Sequence, residues 1–275
     1  MRERTGEGIM KKARLDLLVF ERGLVESRER AKTTIMAGLV YVNGQRSDKP
    51  GTPTPVDAEI TIHGDGLPFV SRGGYKLDKA LSVFPIQTAG KSCIDCGAST
   101  GGFTDVLLQH DAARVYAVDV GYGQLAWKLR EDPRVICMER TNVRYVSPEI
   151  IGEPLDLAVM DVSFISIKLI LPALKSILKK DSDIICLIKP QFEAGKEKVG
   201  KKGVVRDPKV HKEVISDILS FCKDQSLCIC GLDYSPIKGP EGNIEFLLWL
   251  KANTEQSDAV IDIDEVVFKA HEQIK

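Results

Sequence analysis

The chain predicts an α/β protein: a doubly wound, mostly parallel sheet preceded by a small α+β domain. Three observations carry this. Apolar runs of strand length alternate with helical patterns from about residue 92 onward, as in a parallel sheet covered on both faces. DCGASTGGFTD (95–105) is a glycine-rich strand–turn–helix junction, where backbone comes close to a ligand. About twenty residues later, VYAVDVG (115–121) reads as a second buried strand ending in an acid, Asp119.

Residues 1–10 read as a disordered extension and 11–63 as a small domain. Leu15, Leu18, Val19 and Leu24 recur at helical spacing, and Gly23 closes that helix. Ser27 is an N-cap for a second helix that carries Ala31, Ile35 and Met36 inward and stops at Gly38. LVYVNGQ alternates like a strand and ends in the hairpin signal Asn43-Gly44; Pro50 to Pro55 interrupts, and AEITIHG gives another strand. GDGLPFVSRGGY (64–75) is turn-rich, so 64–72 is expected to be a linker and 73–275 the second domain. There KSCIDCG, RVYAVDV, RVICMER, LDLAVMDVSF and DIICLIKPQF are strands. FTDVLLQH, GQLAWKLRE, 167–179 and 208–223 are helices. LCICGLDYS and EFLLWLKA follow without an intervening helix, which suggests an antiparallel hairpin at the sheet edge.

Glycine spacing bears on the ligand. Dinucleotide folds use G-x-G-x-x-G; Gly97, Gly101 and Gly102 instead give G-x-x-x-G-G after Asp95. An acid there suits a cationic, amine-bearing ligand, and S-adenosylmethionine fits. Asp119 is placed to accept the two ribose hydroxyls. An ordinary tight turn and a nicotinamide dinucleotide are the alternatives. Ligands of such sheets sit beyond the C-terminal strand ends. Asp161 ends LAVMD and Lys189 ends IICLIK, while Lys76 and Glu245 add a second lysine and a second acid. A lysine ending a buried strand is costly unless paired or functional; the plain alternative is a structural Asp–Lys pair.

The 275 residues are 43% hydrophobic and 28% charged with net charge −1, so nothing global advertises nucleic acid. Distribution is more telling: residues 11–50 hold nine Lys/Arg against five Asp/Glu, and 252–275 hold two against six. With no apolar run of membrane length and a charged N-terminus, a cytoplasmic protein is expected. Seven cysteines fit as reduced thiols. Cys93 and Cys96 form a C-x-x-C without a second pair at zinc spacing, so packing is the better reading and no metal is expected.

Lys76, Asp161, Lys189 and Glu245 resemble, in order and context, the Lys-Asp-Lys-Glu tetrad of FtsJ-type RNA ribose 2′-O-methyltransferases. RLDLLVFERGLVESRERAKTTIMAGLVYVNG (14–44) is similar to the alpha-L RNA-binding module. Together with SRGGYKL, DCGASTGGFT, VDVGYGQLAWKLR, ERTNVR, DVSFIS, KPQFE and GPEGNIEFLLWL, the chain resembles the TlyA family of ribosomal RNA methyltransferases, also labelled hemolysins, from about residue 12 onward.

That resemblance implies a Rossmann-like class I methyltransferase fold and 2′-O-methylation of a cytidine in ribosomal RNA, of the large subunit or of both. Lys189 would act as general base when neutral, or stabilise the alkoxide when charged, with Asp161 orienting it. Gly97, Ser99, Gly101 and Gly102 would line the methionine end with Asp95 nearby, Asp119 the ribose, and Asn142 the adenine; a turn role for Asn142 is the alternative. Phe164 and Phe192 would stack on a base or serve the core. Lys11, Lys12, Arg14, Arg28, Arg30 and Lys32 form the RNA-binding arm, with Arg28 and Lys32 neighbours on one helix face; a solvated face is the alternative. The lysine- and glycine-rich segment 195–212 is expected to be a loop that orders on RNA, and Arg72, in the linker, to report RNA docking. Ribosomal RNA or ribosomal subunits are the expected partners, with no membrane and no obligate protein partner. Rival classes are a cofactor-binding ribosome assembly factor without catalysis and a membrane-active hemolysin.

Overall fold

In a computed structural model that describes residues 11–25, 27–63 and 68–274, the chain divides into two units, Met1–Arg72 and Gly73–Lys275. The expected extension 1–10 and residues 64–67 of the expected linker lie outside the described residues.

The first unit runs β1 (Lys12–Arg14), α1 (Leu15–Glu21), α2 (Arg28–Met36), β2 (Val40–Val42), β3 (Gln45–Ser47), β4 (Pro53–Pro55) and β5 (Ile60–Ile62). The Ser27 hydroxyl accepts from the Arg30 N–H at 3.0 Å, so α2 starts where a small hydroxyl residue can satisfy a free amide. Leu15, Val19, Ala31, Ile35 and Val40 are fully buried between the helices and the strands β3-β2-β5. Asn43 (φ 48°) and Gly44 (φ 75°) both turn left-handed, the geometry that a two-residue hairpin demands. Two expectations fail. Met36 is 46% exposed rather than inward, because it lies in the last turn of α2, one residue past the buried Ile35. The proline run is a strand: Lys12 pairs with Pro55 and Arg14 with Pro53. A two-stranded ribbon needs few donors, so prolines fit there.

The second unit continues with α3 (Gly74–Val83), β6 (Ser92–Cys96), α4 (Gly102–Gln109), β7 (Arg114–Val118), α5 (Trp127–Arg130), β8 (Val135–Met138), α6 (Pro148–Ile151), β9 (Leu155–Met160), α7 (Leu171–Ile177), β10 (Leu178–Ile188), α8 (Pro190–Glu193), α9 (Pro208–Asp224), β11 (Cys228–Tyr234), β12 (Phe246–Ala252) and α10 (Ile263–Gln273). The seven-stranded sheet has the order β11-β12-β10-β9-β6-β7-β8. Pairing is parallel from β10 to β8, and β12 runs antiparallel to both β10 and β11. Leu157 to Met160 and Ile184 to Ile188 are buried without alternation, as strands covered on both faces require. From β6 the chain winds outward through β7 to β8, and from β9 outward through β10. The direction therefore switches between β6 and β9, where open α/β sheets form their crevice.

Several boundaries differ from the sequence reading. α3 begins at Gly74, inside the last two residues of the turn-rich stretch 64–75, where no helix was expected. The helix expected over GQLAWKLRE is only the four residues of α5. The helix expected at 167–179 begins as a 3-10 turn at Ile167–Leu169 and gives way to β10 at Leu178. α10 closes the described chain, burying Val267 and Ala270. Burial pushes the Cys93 thiol up to about 12, so it stays protonated and inert, as a packing residue should.

Candidate active site

Register brings four distant residues to the switch point. Ile188 pairs with Phe246 across β10 and β12, so Lys189 and Glu245 leave the sheet side by side. Cys186 pairs with Met160, so Asp161 emerges next to them from β9. Lys76 comes from the first turn of α3. Lys76 Nζ lies 2.6 Å from Glu245 Oε2 and donates to Asp161 Oδ2 at 3.0 Å, and Lys189 Nζ lies 2.6 Å from Asp161 Oδ1. The two 2.6 Å contacts are close ion pairs without hydrogen-bond alignment. Lys189 Nζ donates an aligned hydrogen bond to Ser163 Oγ at 3.0 Å. All four charges are largely withdrawn from solvent, down to 1% exposure for the Glu245 side chain.

Charge alternates along this row. Burial pulls the Lys76 ammonium down, but the carboxylates of Asp161 and Glu245 outweigh it, and its net displacement is upward. Burial pushes the Asp161 carboxyl up, and Lys76 and Lys189 together hold it below the ordinary carboxylate range. A buried ion row adds little stability over apolar packing. Its chemical use is to hold an amine nitrogen at a fixed point beside a crevice.

The glycine-rich turn forms the adjoining wall. Gly97 (φ 83°) has no room for a side chain: a Cβ would stand 2.9 Å from the Asp161 carbonyl. At Gly101 (φ 94°) a Cβ would overlap Leu129 Cδ1 at 2.2 Å, and Gly102 opens α4. Asp95 Oδ2 accepts from the Thr104 amide at 2.9 Å and hydroxyl at 2.7 Å, tying β6 to α4, while Oδ1 is buried without a partner among the described residues. Burial pushes this carboxyl up to about 7. Asp119 Oδ2 accepts from the Ser99 amide at 2.8 Å and Oδ1 from the Gly121 amide at 2.7 Å. Asn142 caps a short turn, accepting from the Arg144 amide at 3.1 Å. Phe164 is 90% exposed, with its ring 5.1 Å from that of Phe192.

The basic arm is arranged differently from expectation. Arg14 Nε and Arg28 Nε both donate to the buried carboxylate of Asp16, at 2.9 and 3.2 Å, so Arg28 does not stand free beside Lys32. The Arg14 hydrogen bond leads the effects holding Asp16 below its usual range. Arg30 donates to the Phe69 carbonyl and Arg72 to the Met36 carbonyl. Lys11 and Lys12 are exposed and Lys32 is half-buried. In the second unit, 195–207 is not featureless. Val204 and Val205 are buried, and Asn243 holds the segment by accepting from the Val205 amide and donating to the Gly203 carbonyl.

The FtsJ-like methyltransferase profile matches residues 69–252 and the S4 domain profile matches residues 13–60. The chain belongs to the FtsJ-like methyltransferase family. Over 271 residues it is 53% identical to a Bacillus subtilis protein titled "Putative rRNA methyltransferase YqxC", covering 96% of each. It is 44% identical to the "16S/23S rRNA (cytidine-2'-O)-methyltransferase TlyA" of Mycobacterium tuberculosis, covering 94% of this chain and 97% of that one. A solved structure titled "Putative hemolysin from Streptococcus thermophilus" superposes with a TM-score of 0.77 at 48% identity, covering 96% and 97%.

FtsJ-like methyltransferases use S-adenosylmethionine, and the residues at this chain's strand ends fit it. The unpartnered, buried Oδ1 of Asp95 suits an ammonium, and the acceptor-only carboxylate of Asp119 keeps free lone pairs for a diol. Gly97 and Gly101 leave a cradle that any Cβ would fill. Two contacts escaped the sequence reading. Ser163 and Glu193, which accepts from the Ser166 hydroxyl at 2.6 Å and the Ile167 amide at 2.8 Å, became visible only from geometry. Their signal was position: each lies within four residues of Asp161 or Lys189.

Proposed function

We propose that this FtsJ-like methyltransferase transfers a methyl group to the 2′-hydroxyl of a cytidine ribose in ribosomal RNA. The observation that carries the reading is the row Glu245–Lys76–Asp161–Lys189, assembled at the switch point beside the glycine cradle. S-adenosylmethionine, when bound, supplies a methyl group on a positively charged sulfur. A ribose hydroxyl is a very weak acid and needs help to attack. Lys189 gives that help, taking the proton as a neutral amine or stabilising the developing alkoxide as an ammonium. Asp161 keeps Lys189 in place, and Lys76 and Glu245 keep Asp161 in place. Asp95, Gly97, Ser99, Gly101 and Gly102 hold the methionine end, Asp119 the ribose and Asn142 the adenine. Phe164 and Phe192 receive the target base.

Residues 11–63 form the RNA-reading module, 64–72 the linker and 73–275 the catalytic domain, with the protein at work on ribosomal subunits in the cytoplasm. Lys11, Lys12, Arg14, Arg28, Arg30, Lys32 and Arg72 are assigned to RNA; Arg14 and Arg28 use those donors that Asp16 leaves free. Both subunits are candidate targets, since the name of the M. tuberculosis relative covers 16S and 23S RNA. No described helix is long and apolar enough to cross a membrane.

The test is transfer of radiolabelled methyl groups to separated small and large ribosomal subunits, with Lys189→Ala as control. Label on RNA that disappears in the variant is the expected result, and its distribution identifies the target subunit. Cofactor binding without label on either subunit would instead leave an assembly factor.

A further inference from the structure

Lys189 is held by two contacts of different kinds. The one to Asp161 Oδ1 is short, at 2.6 Å, but not aligned as a hydrogen bond, so it fixes where the charge sits more than where the N–H bonds point. The one to Ser163 Oγ, at 3.0 Å, is the only aligned hydrogen bond that Lys189 Nζ makes among the described residues. Lysine side chains carry several rotatable bonds and lose much freedom when ordered. An aligned acceptor is therefore what sets the last torsion. Ser163 stands two residues beyond Asp161, at the exposed rim of the site, and its own hydroxyl proton has no acceptor among the described residues.

We infer that Ser163 is a positioning residue for methyl transfer: by accepting from Lys189 it turns the amine so that its one remaining tetrahedral vertex faces the attacking ribose oxygen. Around the nitrogen, Cε takes one vertex and Ser163 a second, and the close Asp161 carboxylate crowds the side of a third without aligning to it, so one vertex stays open. In the neutral amine the remaining vertex is the lone pair that receives the proton; in the ammonium it is an N–H that supports the alkoxide. Either way the same direction serves the same oxygen, so the inference does not depend on which form reacts. It does rest on the proposed methyl transfer to RNA.

Ser163 is exposed, so its replacement should not disturb folding. Single-turnover rate, RNA affinity, cofactor affinity and thermal midpoint are measured for the wild type, Ser163→Ala, Ser163→Thr and Lys189→Ala on ribosomal subunits. The expected result for Ser163→Ala is a rate constant lower by about tenfold to a hundredfold, with both affinities and the midpoint little changed. Ser163→Thr, which keeps the hydroxyl, restores most of the rate. Full rate in Ser163→Ala overturns the inference while leaving the proposed function intact, provided Lys189→Ala is inactive. So does an unchanged rate constant with weakened RNA binding, which would make Ser163 a simple substrate contact. A threonine variant as slow as the alanine one, or a fall in midpoint that accounts for the loss, overturns it too. A wild type that labels no RNA overturns both readings.

Discussion

Asp161 joins the ion row to the glycine-rich turn. Each of its side-chain oxygens meets a lysine, and its carbonyl backs onto Gly97, so the acid of the ion row and the glycine-rich turn share one wall. A methyl group added at Gly97 would press directly on the Asp161 backbone. Asp95 shows the opposite economy: a fully buried carboxyl with one oxygen spent on Thr104 and the other without a partner among the described residues. Its carboxyl is pushed up to about 7 by burial. A carboxyl raised above its unfolded value favours folding while protonated, and that contribution is lost as pH rises toward and through about 7. Asp95→Asn, which never ionises, should therefore gain on the wild type between pH 5 and 8 without cofactor, by a few kcal/mol at most. Thermal melts at the two pH values check this; parallel melting at both would show that Asp95 ionises freely in the fold.

At the scale of elements, the sequence was legible wherever a rule acts over a few residues. Ser27, Asn43-Gly44 and the apolar runs of β6, β9 and β10 each carry their own signal, and each forms the expected element. Replacing Ser27 with alanine should cost about 1 kcal/mol through loss of the α2 cap, read as a shift in the urea midpoint without a change in slope. Elements decided by distant partners were not legible. β4 needs β1, some forty residues earlier, to turn a proline run into a ribbon. α3 begins in a glycine pair that reads as linker, and its fate is set by packing. Segment 195–207 looks like free basic loop until Asn243, which follows α9 and β11 in the sequence, holds it. The tetrad was found because strand ends mark the rim of such a sheet and a family pattern named the residues. Ser163 and Glu193 carry no such mark, and neither does the diversion of Arg14 and Arg28 to Asp16.

At the scale of the whole molecule, the proposed function assigns recognition and chemistry to different units. A fragment of residues 73–275 should keep cofactor affinity within about twofold yet bind ribosomal subunits more weakly, with a shallower salt dependence because fewer phosphates are engaged. Titrations at several salt concentrations measure both; an unchanged slope would move RNA contact onto the catalytic unit. The position of β12 has a consequence of another sort, in the making of the protein. This strand is made after every other strand of its sheet, yet it lies inside the sheet, between β10 and β11. Glu245 immediately precedes it. A ribosome that stalls before Phe246 therefore releases a chain without β12, with an open hydrogen-bonding edge on β10 and no partner for β11, the kind of surface that seeds aggregation. Such a product is adhesive as well as inert. The protein cannot usefully be half made: the pairing that completes the sheet interior and the pairing that sets Glu245 beside Lys189 arrive together, with the seven residues of β12.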